Sequence, residues 1–67
     1  MQIIRIADSK ADISVSVEEL TILCNGLNEA CNALDQWDFQ TRMGFEREDV
    51  LALMKQVTAA LDKFPKA

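Results

Sequence analysis

Apolar side chains recur every three or four residues between residues 16 and 34, which is the spacing of one face of an α-helix. This stripe consists of Leu20, Leu23, Cys24, Leu27, Ala30, Cys31 and Leu34. A second stripe on the opposite side, called the amide row below, consists of Asn25, Asn28, Glu29 and Asn32. Ser16 and Glu19 have the spacing of a capping box, in which each side chain accepts from the other residue's backbone N–H. The pattern predicts a helix over about 17–34, with one face for a core and the other for solvent or a partner.

A β-hairpin is predicted for residues 2–16. Residues 2–6 are rich in β-branched side chains, residues 7–11 have a loop-like composition, and residues 13–17 alternate strictly between apolar and polar. Because successive side chains of a strand point to opposite faces, we expect one face of the hairpin to pack on the helices. The inward side chains are expected to be Ile4, Ile6, Ile13 and Val15.

The segment 35–45 is predicted to be a linker with an unusual apolar content. Trp37, Phe39 and Met43 alternate there with polar residues, and a spacing of two indicates an extended segment laid across the protein. A third strand and an extra helical turn are the alternatives.

A second helix is predicted over about 46–63. Glu46 would be its N-cap, a position where Ser or Thr is preferred, and Pro65 marks the stop. Its apolar stripe consists of Val50, Leu53, Met54, Val57, Leu61 and Phe64.

Together these elements predict an α+β fold in one small domain, residues 1–67, with a two-stranded β-hairpin followed by two antiparallel helices (ββαα). A chain of 67 residues buries only about 60% of its unfolded surface, so a thin core is expected. A two-stranded sheet also has two unpaired edges. Three apolar residues outside the predicted core stripes are the candidates for self-association in a homodimer: Ile3, Ile22 and Leu51.

The charge balance restricts the class of partner. The chain has 11 acidic and 7 basic residues and a net charge of −4, whereas nucleic-acid binding requires a positive field to displace counterions from phosphates. An acidic chain favours a basic protein partner, although this net charge is also ordinary for solubility. The sequence shows neither a signal peptide nor an apolar stretch that could cross a membrane, so we expect a cytoplasmic protein without a membrane partner.

Catalysis and cofactor binding have little support in the sequence. The chain has no His and no Tyr, no Gly-rich phosphate loop and no nucleophile beside a base. Cys24 and Cys31 would lie about 10.5 Å apart along the helix, too far for a disulfide, and their place on the apolar stripe indicates small buried side chains. We therefore expect no enzymatic activity, no cofactor and no metal site.

Seven residues are predicted to form a partner-binding surface: Asn25, Asn28, Glu29, Asn32, Trp37, Asp38 and Arg42. The amide row and Gly26 lower helix propensity by roughly 2 to 3 kcal/mol, and such local costs are expected where function lies. An ordinary solvated face would show the same pattern. Gly26 would allow a partner to approach closely, or would ease packing against the second helix.

Each of the larger side chains in this set also has a structural interpretation. Trp37 and Phe39 would cover the core or anchor a partner, and a cover for the core is the favoured expectation. Arg42 is expected to be an anchor for Glu29, Asp38 or the carbonyls that end the first helix, rather than a ligand contact. The acidic residues around the linker would compensate helix dipoles or meet a basic partner.

The chain resembles a group of short bacterial proteins over about residues 16–54. The most specific runs are Leu27-Asn28-Glu29 and Phe39-x-Thr41-Arg42-x-Gly44, accompanied by Glu19-Leu20, Asn25 and Arg47-Glu48-Asp49-Val50. Glu46 departs from the Ser or Thr usual in that group, which affects only the second helix cap. Some short acidic bacterial proteins of this size are immunity proteins that block a toxin, and the resemblance is compatible with that function.

Two functional hypotheses follow from these observations. The first is a non-catalytic protein–protein interaction module of the bacterial cytosol, such as an immunity or antidote-type inhibitor of a partner protein. The second is a self-associating structural or accessory subunit that forms a homodimer. The oligomeric state discriminates between them in part, since a monomer excludes the second.

Overall fold

Two strands and three helices make up the computed structural model, which describes residues 1–65 apart from the side chain of Gln36. The strands are β1 (Gln2–Ala7) and β2 (Lys10–Ser14), and the helices are α1 (Val17–Ala33), α2 (Gln36–Met43) and α3 (Arg47–Asp62). The predicted hairpin followed by helices in one small domain is confirmed. The order is ββααα, however, so the predicted count of two helices is wrong.

The hairpin is antiparallel and its two strands are joined by a turn at Asp8 and Ser9, which is tighter than the predicted loop 7–11. Asp8 adopts a φ of 56°, a left-handed conformation in which Asp is tolerated better than most residues. Arg5 lies opposite Asp12 in the register, so residues of opposite charge are neighbours across the strands. The register is irregular between Ile3 and Arg5.

Helix α1 begins as the capping box predicts. The backbone N–H of Glu19 donates to Ser16 Oγ at 3.1 Å, and the backbone N–H of Ser16 donates to Glu19 Oε1 at 2.9 Å. These bonds satisfy two of the backbone donors that a helix start leaves unpaired. The predicted bounds 17–34 agree with the observed helix to within one residue.

Helix α2 replaces the extended linker of the sequence prediction, which is therefore wrong. Of the two alternatives, the third strand is also wrong, and the extra helical turn has the right type of structure but is shorter than the observed helix. The side chain of Asp35 caps its start by accepting from the backbone N–H of Asp38 at 3.0 Å. Gly44 ends it in the left-handed conformation, with φ of 79° and its N–H bonded to the Gln40 carbonyl at 2.8 Å. The alternation of apolar residues misled the prediction, because Phe39 and Met43 are four residues apart and share a helix face.

Helix α3 is preceded by Glu46, whose side chain makes no capping hydrogen bond. The weak N-cap is thus confirmed. Glu48 and Asp49 occupy the first turn, where carboxylates interact favourably with the positive end of the helix dipole. The helix ends at Asp62, one residue earlier than predicted.

The core is small. Among residues 1–65, three apolar side chains are buried, Cys31 of α1, Phe39 of α2 and Val50 of α3. The partly buried side chains packed against them are Leu27, Leu34 and Met43. Helices α1 and α2 both pack against α3, and this helical cluster carries the tertiary structure.

The hairpin does not pack on the helices as expected. Ile4, Ile6 and Ile13 are 67%, 68% and 44% exposed, so the prediction that they face inward is wrong, whereas Val15 is half-buried. The reason is that the hairpin makes its contacts between its own strands and hardly touches the helices.

Candidate interaction surface

The amide row lies on the outer side of α1. All four of its side chains are exposed, while Cys31, on the same helix, is buried in the core. The structure therefore confirms the two-faced character of this helix. Partner binding by the row stays a prediction.

Helix α2 exposes the other three predicted partner-binding residues, Trp37, Asp38 and Arg42. Trp37 is 90% exposed, so the expectation that it covers the core is wrong, whereas Phe39 is 1% exposed and fulfils that role. Helix residues two positions apart point about 160° away from each other, so burying one of these aromatic side chains turns the other outward. All seven predicted binding residues are thus accessible.

Arg47, rather than Arg42, is the structural anchor. Its Nη2 donates to the Leu34 carbonyl at the end of α1, and its guanidinium carbon lies 5.2 Å from the centroid of the Phe39 ring. Arg42 is exposed and makes no hydrogen bond or ion pair within the described part of the chain. The prediction that Arg42 is the structural anchor is therefore wrong. Arg47, five positions later, is the anchor instead.

The sequence holds a signal for Arg47 beyond its place in the run Arg47-Glu48-Asp49-Val50. Arg47 is the first residue of α3, where a positive charge is unfavourable beside the helix dipole. A cation at this position breaks a local rule, and such breaks indicate a compensating contact. Here the compensation is the carbonyl of Leu34 together with the face of Phe39.

The three predicted self-association residues are exposed but do not belong to one site. Ile3 is 62%, Ile22 68% and Leu51 37% exposed. Leu51 lines a shallow cleft beside Phe39 and Arg47, whereas Ile22 lines a different cavity. Ile3 lies on β1 and lines neither of them.

The cavity at Ile22 is an open groove of about 750 Å³, called the apolar groove below. Helix α1 contributes Leu20, Ile22, Leu23, Gly26, Leu27 and Ala30 to it. The remaining lining comes from Ile13, Val15, Met43, Leu53 and Val57. No charged or polar side chain lines this groove. Eight of its eleven residues are predicted core or inward-facing residues, so the sequence does not indicate an open groove here. For Leu23 and Leu53, which are 44% and 50% exposed, the prediction of a core position is wrong.

Gly26 lies in the wall of the apolar groove. Across residues 1–65, no neighbouring side chain or other element comes within 4 Å of the position that a Cβ would occupy there. The glycine therefore does not bring α1 into close contact with α3. It leaves open space in the groove.

The carboxylate of Glu19 has a lowered pKa. The N-terminal ammonium of Met1 pairs with the Glu19 carboxylate and, with the backbone N–H of Ser16, holds the pKa of Glu19 below its ordinary value of 4.5. A depressed pKa keeps a carboxylate ionised at neutral pH, which suits a cap rather than a proton-transfer group.

Both cysteines are free thiols in helix α1. Cys31 is buried in the core, and Cys24 is half-buried with its Sγ 3.7 Å from Thr58 Oγ1 of α3. They act here as the small packed side chains that the apolar stripe predicts.

Two kinds of special site are absent from residues 1–65. No cluster of three or more His, Cys, Asp or Glu side chains has the arrangement to hold a metal ion. None of the helices in this part of the chain combines the length and apolarity needed to cross a membrane.

Comparison of the chain with protein-family models, curated proteins and solved structures gives no significant match.

Proposed function

We propose that this chain is a non-catalytic protein–protein interaction module, in its specific form an immunity or antidote-type inhibitor that binds a partner protein. Its binding surface comprises the amide row of α1 and Trp37, Asp38 and Arg42 of α2. The observation that carries the proposal is the 90% exposure of Trp37 on a helix whose neighbouring aromatic side chain, Phe39, is buried.

An exposed Trp is a strong candidate for a binding anchor. Trp is enriched among the few residues that dominate interface energetics, because it buries a large area with little loss of conformational entropy. Helix α2 holds Trp37 on an ordered backbone, capped at both ends by Asp35 and Gly44. A preorganised aromatic side chain of this kind loses little freedom when a partner covers it.

The polar residues around this anchor would supply specificity. Asn side chains offer both a donor and an acceptor on a short stem, and Glu29 and Asp38 add negative charge. A net charge of −4 would accelerate association with a basic partner surface. We place this interaction in the bacterial cytoplasm, with no cofactor and no metal.

The experiment is an affinity capture from a lysate of the source cells, followed by purification of the captured partner and calorimetric titration. Trp37→Ala is expected to weaken binding at least about 30-fold, as for an interface hot spot. The double variant Asn28→Ala with Glu29→Ala should also abolish capture while its circular dichroism spectrum is unchanged.

Phe45→Ala is the matched control, because Phe45 is also an exposed aromatic residue, 66% accessible, but lies outside the proposed surface. Its affinity should stay within about threefold of the wild type. Full affinity in both Trp37→Ala and the double variant would overturn the proposal, as would turnover of a substrate by the purified chain alone.

The self-associating subunit is the second candidate, and the apolar groove is the observation that favours it. The two candidates use neighbouring faces of α1. Gly26 in the groove and Asn28 in the amide row are two positions apart and point about 160° away from each other. Ile22 of the groove and Glu29 of the amide row are seven positions apart and lie on the same side of the helix, so the two faces meet there.

A further inference from the structure

We propose that a second copy of this chain covers the apolar groove, so that two chains form a twofold dimer with α1 and α3 of both at its centre. The groove then becomes the main core of the dimer. The groove adjoins the partner-binding surface at Ile22 and Glu29, but the proposal does not depend on partner binding.

The first argument is the exposed area of the single chain. Its accessible surface is 5691 Å² for a mass of 7.5 kDa. A folded monomer of that mass exposes about 4,200 Å² on the usual scaling, so this chain exposes roughly 1,400 Å² more than expected. A standard protein–protein interface removes about 800 Å² from each partner, so a dimer that extends from the groove over the exposed side chains around it would cover more than half of this excess.

The shape of the chain leads to the same conclusion. Its radius of gyration is 13.6 Å and its thinnest dimension is 16 Å. A compact domain of this length has a radius of gyration of about 11 Å. The chain is thus a thin layer with one small core, and a second chain packed on this layer would give the usual two-layer thickness.

The groove has both projecting side chains and a gap, which a self-complementary interface needs. Leu23 and Leu53 are 44% and 50% exposed, and Ile22 is 68% exposed, so these side chains project towards solvent at the groove. Gly26 leaves a gap beside them, with open space around its Cβ position. In a twofold arrangement, the projecting side chains of each copy enter the gap of the other.

Charge does not oppose this pairing. Each chain carries a net charge of −4, but no ionisable side chain lines the groove, so the two like-charged chains would meet through neutral surfaces. A small apolar molecule would also fit a groove of this volume. It would leave most of the excess surface exposed, which is why a second chain is the better occupant.

The test starts with native mass spectrometry and sedimentation equilibrium of the wild-type chain from micromolar to millimolar concentration. We expect a species of twice the 7.5 kDa chain mass. A monomer throughout this range overturns the proposal. So does a monomer that carries a small apolar molecule or that is bound to a different protein.

Two matched substitutions locate the interface. Ile22→Lys places an ammonium group in the groove and should weaken dimerisation at least about 100-fold. Phe45→Lys makes the same change at a residue of similar exposure, 66% against 68%, that does not line the groove. It should change the dimer dissociation constant less than about threefold. The reverse result would place the interface around Phe45 and overturn the proposal.

Nuclear Overhauser effects between labelled and unlabelled chains provide a test that does not depend on the folding of a variant. Contacts between the methyl groups of Ile22, Leu23 and Leu53 in different chains are expected. Intermolecular contacts confined to Ile3, Ile4 and Ile6 would overturn the proposal even if Ile22→Lys fails to fold.

Discussion

The guanidinium of Arg47 lies over the ring of Phe39, with its central carbon 5.2 Å from the ring centroid. The same group donates through Nη2 to the Leu34 carbonyl. One side chain of α3 therefore contacts the buried aromatic residue of α2 and the last backbone acceptor of α1. In a domain with so small a core, this contact ties the three helices together.

Arg47→Ala is expected to destabilise the protein by about 2 kcal/mol, because it removes a charged hydrogen bond and a cation–π contact, and to lower Tm by about 10 °C. Arg42→Ala is the matched control and should change Tm by less than about 3 °C, since exposed side chains without partners contribute little. Thermal melts followed by circular dichroism measure both. A larger decrease in Tm for Arg42→Ala than for Arg47→Ala would show that Arg42 is the structural anchor.

Much of the backbone could be predicted from the sequence, because its signals are local. The capping box at Ser16 and Glu19 predicts the start of α1, and the weak cap at Glu46 is correctly identified. Helix α2 is not predicted, although Asp35 and Gly44 mark its two ends, because the alternation of large apolar residues favours an extended segment over a helix.

The tertiary contacts were harder to predict. The prediction of an inward face for the hairpin depends on the assumption that the strands pack on the helices. The alternation of side chains shows which residues share a face, but it cannot test that assumption. The apolar groove could not be predicted from the sequence for a related reason. A helical stripe shows which residues share a face, but not whether a second element of the same chain covers that face.

The paired Glu19 carboxylate should make stability depend on pH. Its folded pKa lies below the ordinary 4.5, held there by the Met1 ammonium and the Ser16 N–H, so its contribution is complete above pH 4.5. The contribution is lost as pH falls through the lower folded pKa, because the proton then binds in the folded state as well.

Glu19→Gln keeps a capping side chain but removes the charge, and Glu18→Gln is the control in the same helical turn. Wild-type Tm should exceed that of Glu19→Gln at pH 7, and the difference should vanish as the pH falls well below 4.5. Glu18→Gln should show a smaller difference from the wild type at pH 7. A pH-independent difference for Glu19→Gln would exclude the ion pair as its cause.

The turn of the hairpin should tolerate glycine at Asp8. The φ of 56° at this residue is unfavourable for a side chain with a Cβ, least so for Asp and Asn and most for β-branched residues. Asp8→Gly is expected to leave Tm unchanged or to raise it slightly. Asp8→Val should destabilise the hairpin by about 1 to 2 kcal/mol, measurable as faster amide hydrogen exchange in β1 and β2.

Phe39 should be the most sensitive position of the core. It is 1% exposed and contributes the largest of the three buried side chains, so truncation would open a cavity that the small surrounding core cannot refill. Phe39→Ala is expected to cost about 3 to 5 kcal/mol, a large share of the stability of a small domain. Phe45→Ala removes the same group from a residue that is 66% exposed and should change the free energy of unfolding by less than about 1 kcal/mol. Urea titrations of both variants, followed by circular dichroism at 222 nm, measure the two values, and equal losses would mean that Phe39 is not the centre of the core.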